Sequence, residues 1–146
     1  MIILYGEQGS GKSTFAMRML REKRNSLFIS TDRDNSLIDT LIESNIEFAY
    51  LENAHLMDIK YRILEKGGLI NNTLEYVIVD SINHIKDNKS YKEKLEYIAQ
   101  LEKDFKIKIA VVFNVLKKMD KTHLFLRSIK EHRCIEIGSI AAARLL

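Results

Sequence analysis

The run Met1-Ile2-Ile3-Leu4-Tyr5-Gly6-Glu7-Gln8-Gly9-Ser10-Gly11-Lys12-Ser13 decides how this 146-residue chain folds. Its first five residues are apolar, too few for an amphipathic helix but enough for a strand hidden on both faces. Glycines follow at once. With Gly6, Gly9 and Gly11, backbone N–H groups can turn inward without Cβ obstruction, and beyond them Phe15, Met19 and Leu20 recur at helical spacing. Strand, glycine loop and helix N-terminus in that order make a cradle for anionic oxygens, which need many donors at close range.

The spacing Gly6-x-x-x-x-Gly11-Lys12-Ser13 is the full P-loop pattern, standing between a strand and a helix as its mechanism requires. With glycine near 7% of average usage, a chance match in a chain of this length arises on the order of one time in a hundred or less. Gly6, Glu7, Gln8, Gly9, Ser10, Gly11, Lys12, Ser13 and Thr14 are the expected contacts of a nucleoside triphosphate, taken as ATP. Lys12 is expected on the β and γ phosphates, and Ser13 on Mg²⁺.

A magnesium-nucleotide site also needs an acid at the end of a buried strand, and Glu75-Tyr76-Val77-Ile78-Val79-Asp80-Ser81 supplies Asp80. The competing reading makes Asp80 the N-cap of the next segment. Hydrolysis further needs a base or a group that positions water, and Asp32 in Ser30-Thr31-Asp32-Arg33-Asp34 is the candidate. Asp32 or Asp34 would otherwise cap the helix bearing Leu37. Glu7 is the alternative acid. The expected catalytic set is Lys12, Asp32 and Asp80, with Ser13 and Asp80 on the metal.

Further apolar runs at Leu27 to Ser30, Phe48 to Leu51, Tyr76 to Val79 and Ile107 to Phe113 read as strands. Helical patterns alternate with them, carried by Leu37, Ile38, Leu41 and Ile42, by Leu56, Ile59 and Ile63 before Gly67-Gly68, and by Tyr91, Leu95, Ile98 and Phe105. Ser36 and Asp39 are spaced like a capping box. The alternation predicts an α/β fold, a mostly parallel central sheet with helices on both faces. Leu124 to Ile129 and Cys134 to Ile137 break the rhythm and predict an antiparallel hairpin at the sheet edge.

Length fits one domain, residues 1–146, and no proline or low-complexity stretch marks a linker. A net charge of +3 is too small for a strongly basic nucleic-acid binder. Cys134 is the only cysteine, so no internal disulfide forms and a reducing, cytoplasmic setting is expected. His55, His84, His123 and His132 lack metal-ligand spacing. No stretch is long and apolar enough for a membrane span.

On these motifs the chain resembles the RecA-like ATPases, and among them the RadA/RadB recombinases and KaiC-type domains. Leu27-Phe28-Ile29-Ser30-Thr31-Asp32 is similar to the family's strand ending in Asp-Thr-Glu, which puts Asp32 on the catalytic acid. Glu75 to Ile85 resembles its Walker B strand with Asp-Ser following. Asn114 falls on the Asn of a strand ending in Asn-Gln, a sensor position, while Val115 stands where Gln is usual. Leu126 to Arg133 and Glu136-Ile137-Gly138 look like the terminal hairpin. Departures are the shorter acid at Asp32, the brief segment Val115 to Thr122 where recombinases carry a long DNA-contacting loop, and a start at the P-loop strand. That start leads us to expect neither the N-terminal DNA-binding module nor the linker with the polymerisation motif.

The resemblance implies ATP, Mg²⁺ and single-stranded DNA as ligands, with a recombination, repair or replication protein, or a second copy, as partner. Lys117, Lys118, Lys121 and Arg127 are the candidate nucleic-acid contacts, and Lys130 and Arg133 add to the strip. Phe125 would stack on bases if exposed, and Arg127 or Arg133 would serve as a finger toward a neighbour's nucleotide. The bland alternative is a solvated basic loop guarding an edge strand. Two other functions compete with a DNA-linked ATPase: a P-loop kinase of a small molecule, against which no arginine-rich lid is seen, and a module that holds ATP without turning it over.

Overall fold

Along the first strand Ile3 and Tyr5 point one way and Leu4 the other, so the strand is buried only if both faces of its sheet are covered. In the computed structural model, which describes residues 1–20, 23, 25–32, 46–67 and 74–138, this is what happens. The strands are β1 (Ile2–Glu7), β2 (Ser26–Ser30), β3 (Glu47–Tyr50), β4 (Tyr76–Asp80), β5 (Lys108–Val115) and β6 (Arg133–Glu136). They form one sheet in the order β3-β2-β4-β5-β1-β6, and every neighbouring pair is parallel. Among the described residues the helices are α1 (Lys12–Leu20), α2 (Leu56–Glu65), α3 (Tyr91–Phe105) and α4 (Lys121–Ser128), with a 3-10 turn at Ile82–His84.

Alternation along the strands divides the core in two. Ile3, Tyr5, Leu27, Ile29, Val77, Val79, Val111 and Phe113 meet α2, α3 and α4; Leu4, Phe28, Ile78, Ala110 and Val112 meet α1. Leu56, Ile59 and Ile63 are almost wholly buried, each worth about 1.5–3 kcal/mol of apolar transfer. Helix α3 is set at both ends: the Ser90 hydroxyl accepts the Glu93 N–H, and Lys106 takes the left-handed turn at φ 54° that releases the chain into β5.

The tail departs from the sequence expectation. Leu124 to Ile129 is no strand: residues Lys121–Ser128 form α4, and the expected antiparallel hairpin is replaced by a crossover into β6, parallel to β1. Two forces explain the difference. The Asp120 carboxylate accepts the His123 N–H at 2.8 Å and starts a helix, and the inward residues are His123 and Leu126, three apart, with Leu124 left exposed. A parallel edge strand also demands a crossover, which a hairpin turn cannot supply. The helix expected around Leu37 to Ile42, with the Ser36 and Asp39 box, lies outside the described residues.

Candidate functional site

Strands β1 and β5 are neighbours, yet the helices that follow them, α1 and α4, pack on opposite faces of the sheet. Their loops therefore part at the C-terminal edge and leave a crevice, the place where open α/β sheets bind ligands. A cavity of about 230 Å³ opens there, bordered by Gly6, Glu7, Ser10, Lys118, His123 and Gly138.

The glycine loop turns as its composition requires. Gly9 and Gly11 have φ of 81° and 90°, where a side chain would be strained, so the N–H groups can line a concave path into α1. Gly6 is needed for a different reason: a Cβ there would lie 2.9 Å from the Ile137 carbonyl oxygen and 2.8 Å from Ser10 Oγ. Lys12 is buried at the start of α1, and its Nζ donates to the Glu7 carbonyl at 2.6 Å. Burial lowers its pKa, opposed by the Asp80 charge.

From β4, two strands away, Asp80 reaches the same point, and the Ser13 hydroxyl donates to Asp80 Oδ2 at 2.5 Å. Burial raises the Asp80 carboxyl's pKa; the Ser13 hydrogen bond and the Lys12 ammonium oppose the rise, Asp32 adds to it, and His84 lowers it. Lys12, Ser13, Asp80 and Asp32 thus share one electrostatic neighbourhood, although they come from three strand ends. Asp32 itself is exposed just past β2, its N–H donating to Ser30 Oγ at 3.2 Å.

Asn114 is held at the tip of β5 rather than left to roam. The Asn83 side chain accepts the Asn114 N–H at 2.7 Å and donates to its carbonyl at 2.9 Å, while Asn114 Nδ2 lies 3.4 Å from Ser81 Oγ. Asn83 and Ser81 were not singled out from sequence, and neither was Thr31, whose hydroxyl accepts the Ser81 N–H at 2.8 Å and donates to the Ser81 carbonyl at 3.0 Å. The only signal for them was adjacency, Thr31 to Asp32 and Ser81 to Asp80.

Glu7 faces sideways: its carboxylate accepts the Lys118 N–H at 3.2 Å, tying the glycine loop to the loop after β5. That loop is tied in turn to α4 and β6, since the Met119 N–H donates to His123 Nδ1 at 2.8 Å and His123 Nε2 meets Glu136 at 2.5 Å. His123 is accordingly a partnered core histidine. Lys117, Lys118, Lys121 and Arg127 are all exposed around this loop. Phe125 is not their aromatic companion, because it is half-buried against the core under α4.

The residues fit a magnesium nucleotide. They offer a concave glycine path, a buried cation beside it, and one hydroxyl and one carboxylate already in contact, few protein oxygens as Mg²⁺ prefers. Among the described residues no group of three or more His, Cys, Asp or Glu converges as a ligand set for another metal. No described helix is long and apolar enough to cross a membrane.

A parallel sheet in this order, with a glycine loop after β1 and an acid at the tip of β4, is the RecA-like α/β fold. Among solved structures the chain is similar to a crystal structure of the RadB recombinase, with a TM-score of 0.53 and 17% identity over 82% of this chain. It spans 63% of that recombinase chain's length. The sequence matches no protein-family model and no curated protein. At this identity the likeness speaks for the fold alone.

Proposed function

We propose that this chain binds ATP with Mg²⁺ and hydrolyses it as a RecA-like ATPase serving DNA recombination, repair or replication. The observation that carries the reading is the meeting of Ser13 and Asp80 across two strands, with buried Lys12 beside them. Nothing in packing asks for a carboxylate and an ammonium at the edge of an apolar sheet. Phosphate and metal do. When bound, Mg²⁺ would neutralise charge on the β and γ phosphates, and Ser13 and Asp80 are the residues to hold it. Lys12 would leave the Glu7 carbonyl for phosphate, and Asp32 would orient or deprotonate the attacking water.

The exposed Lys117, Lys118, Lys121 and Arg127 support contact with a nucleic-acid backbone, sequence-independent and weakened by salt. Their loop's tie to Glu7 gives nucleotide and DNA a physical route to influence each other. Phosphate release, measured with and without single-stranded DNA, tests the reading: stimulation supports it, and identical rates at low salt remove the DNA half.

One observation favours the second reading, ATP held without turnover. Val115, where the resembling family has Gln, is buried and apolar, so this position offers the nucleotide no side-chain hydrogen bond. Absent phosphate release from a chain that binds ATP tightly would select this reading.

A further inference from the structure

The nucleotide edge is one end of the sheet; the opposite end holds a larger cavity, of about 570 Å³. Its origin is a mismatch of lengths. Helix α1 has 9 residues and runs back over the sheet for about 14 Å, whereas the 8 residues of β5 span about 26 Å. Among the described residues, the lower part of that face is therefore left uncovered by α1. Ile2, Ala110 and Ile78 stand in register across β1, β5 and β4 to make an apolar floor, and Met19 in the last turn of α1 closes its upper side.

The rim is basic. Lys23, Lys108 and Arg133 border the cavity, all exposed, and among the described residues none has a carboxylate within ion-pair distance. Lys23 is held over the Tyr76 ring, its Nζ 5.2 Å from the centroid, which fixes the charge at the cavity mouth. Two acids also line the cavity: Glu102 is paired with the Met1 ammonium and accepts the Ile109 N–H, each at 2.8 Å, while Glu131 keeps its charge and leaves the three rim cations in excess. An apolar floor of ligand size under a rim with excess positive charge favours an anion with an apolar body.

We infer that this cavity is a second binding site, for a small amphipathic anion with an aromatic or aliphatic body and one acidic head, at the end of the sheet remote from the phosphate loop. The body lies on Ile2, Ile78 and Ala110, and the head meets Lys23, Lys108 and Arg133. The site is independent of the proposed ATPase activity.

Fluorescence titration with 1-anilinonaphthalene-8-sulfonate, against the uncharged N-phenyl-1-naphthylamine, tests it. One sulfonate is expected per folded chain, bound at least about fivefold more tightly than the neutral dye, because several exposed ion pairs of up to about 1 kcal/mol each act together. Lys23→Glu with Lys108→Glu should weaken the sulfonate about tenfold and spare the neutral dye; Lys23→Gln alone, a milder change, should weaken it about threefold. Excess ATP with Mg²⁺ should displace neither dye, and the charge variants should keep parental ATP affinity. Equal affinity of the two dyes, displacement by ATP, or indifference to all three substitutions would overturn the assignment.

Discussion

At the scale of single residues, the sharpest question is how Asp80 and Asp32 would divide the labour of the proposed hydrolysis. Asp80 is buried and hydrogen-bonded to Ser13, whereas Asp32 is exposed and close enough to disfavour the Asp80 charge. That difference suits a metal-side acid and a water-side acid respectively. Asp80→Asn keeps a hydrogen-bonding shape but loses the charge, so ATP affinity should largely survive while the Mg²⁺ titration midpoint moves up about tenfold. Coincident Mg²⁺ curves for the two proteins would remove Asp80 from the metal. Asp32→Asn should lower phosphate release about 100-fold at little cost in ATP affinity, a typical general-base contribution. Steady-state turnover decides it, and a parental rate in the variant would mean the base lies elsewhere. Cys134, half-buried in β6, gives a chemical check on the edge of the sheet. Burial raises its pKa, with Glu131 adding to the rise, so the thiolate forms only at higher pH than in a free cysteine. Alkylation at pH 7.5 should be slower than that of a model thiol and should climb steeply above pH 9.

Elements show where sequence reading succeeds and where it fails. Each internal strand is a short run of buried residues between polar ends, and burial on both faces forces such a run whatever its neighbours do; β1, β2, β4 and β5 were legible for that reason. The glycine turn between β1 and α1 was legible because glycine composition and spacing are local. Segment 121–128 was not, since Leu124, Leu126 and the half-buried Phe125 also fit a strand, and the deciding facts are the Asp120 cap and the need to cross over to β6. Asp120→Ala should therefore destabilise the protein by about 1 kcal/mol, seen as a lower urea midpoint with an unchanged slope. No change in midpoint would show that α4 stands without its cap. The clamp of Asn83 on Asn114 was equally hidden, because it joins residues 31 positions apart through backbone atoms that carry no sequence signature.

For the whole molecule, topology explains why a chain this size can gather its polar groups at one edge. Parallel strands all end on the same side, so Glu7, Asp80 and Asn114, distant in sequence, arrive together, and helices leaving β1 and β5 to opposite faces keep the crevice between them open. Given the strand order β3-β2-β4-β5-β1-β6, the meeting of these residues at one edge follows. What sequence could not supply was the angle of each side chain, such as Glu7 turned toward Lys118. The central claim is that this edge holds a magnesium nucleotide by Lys12, and calorimetric titration of ATP with Mg²⁺ into the parent and Lys12→Ala tests it most directly. The account predicts one ATP per parent chain and an affinity at least about 100-fold weaker in the folded variant, since the phosphates lose a buried cation and keep only the backbone cradle. Equal affinity in a folded Lys12→Ala protein would contradict it.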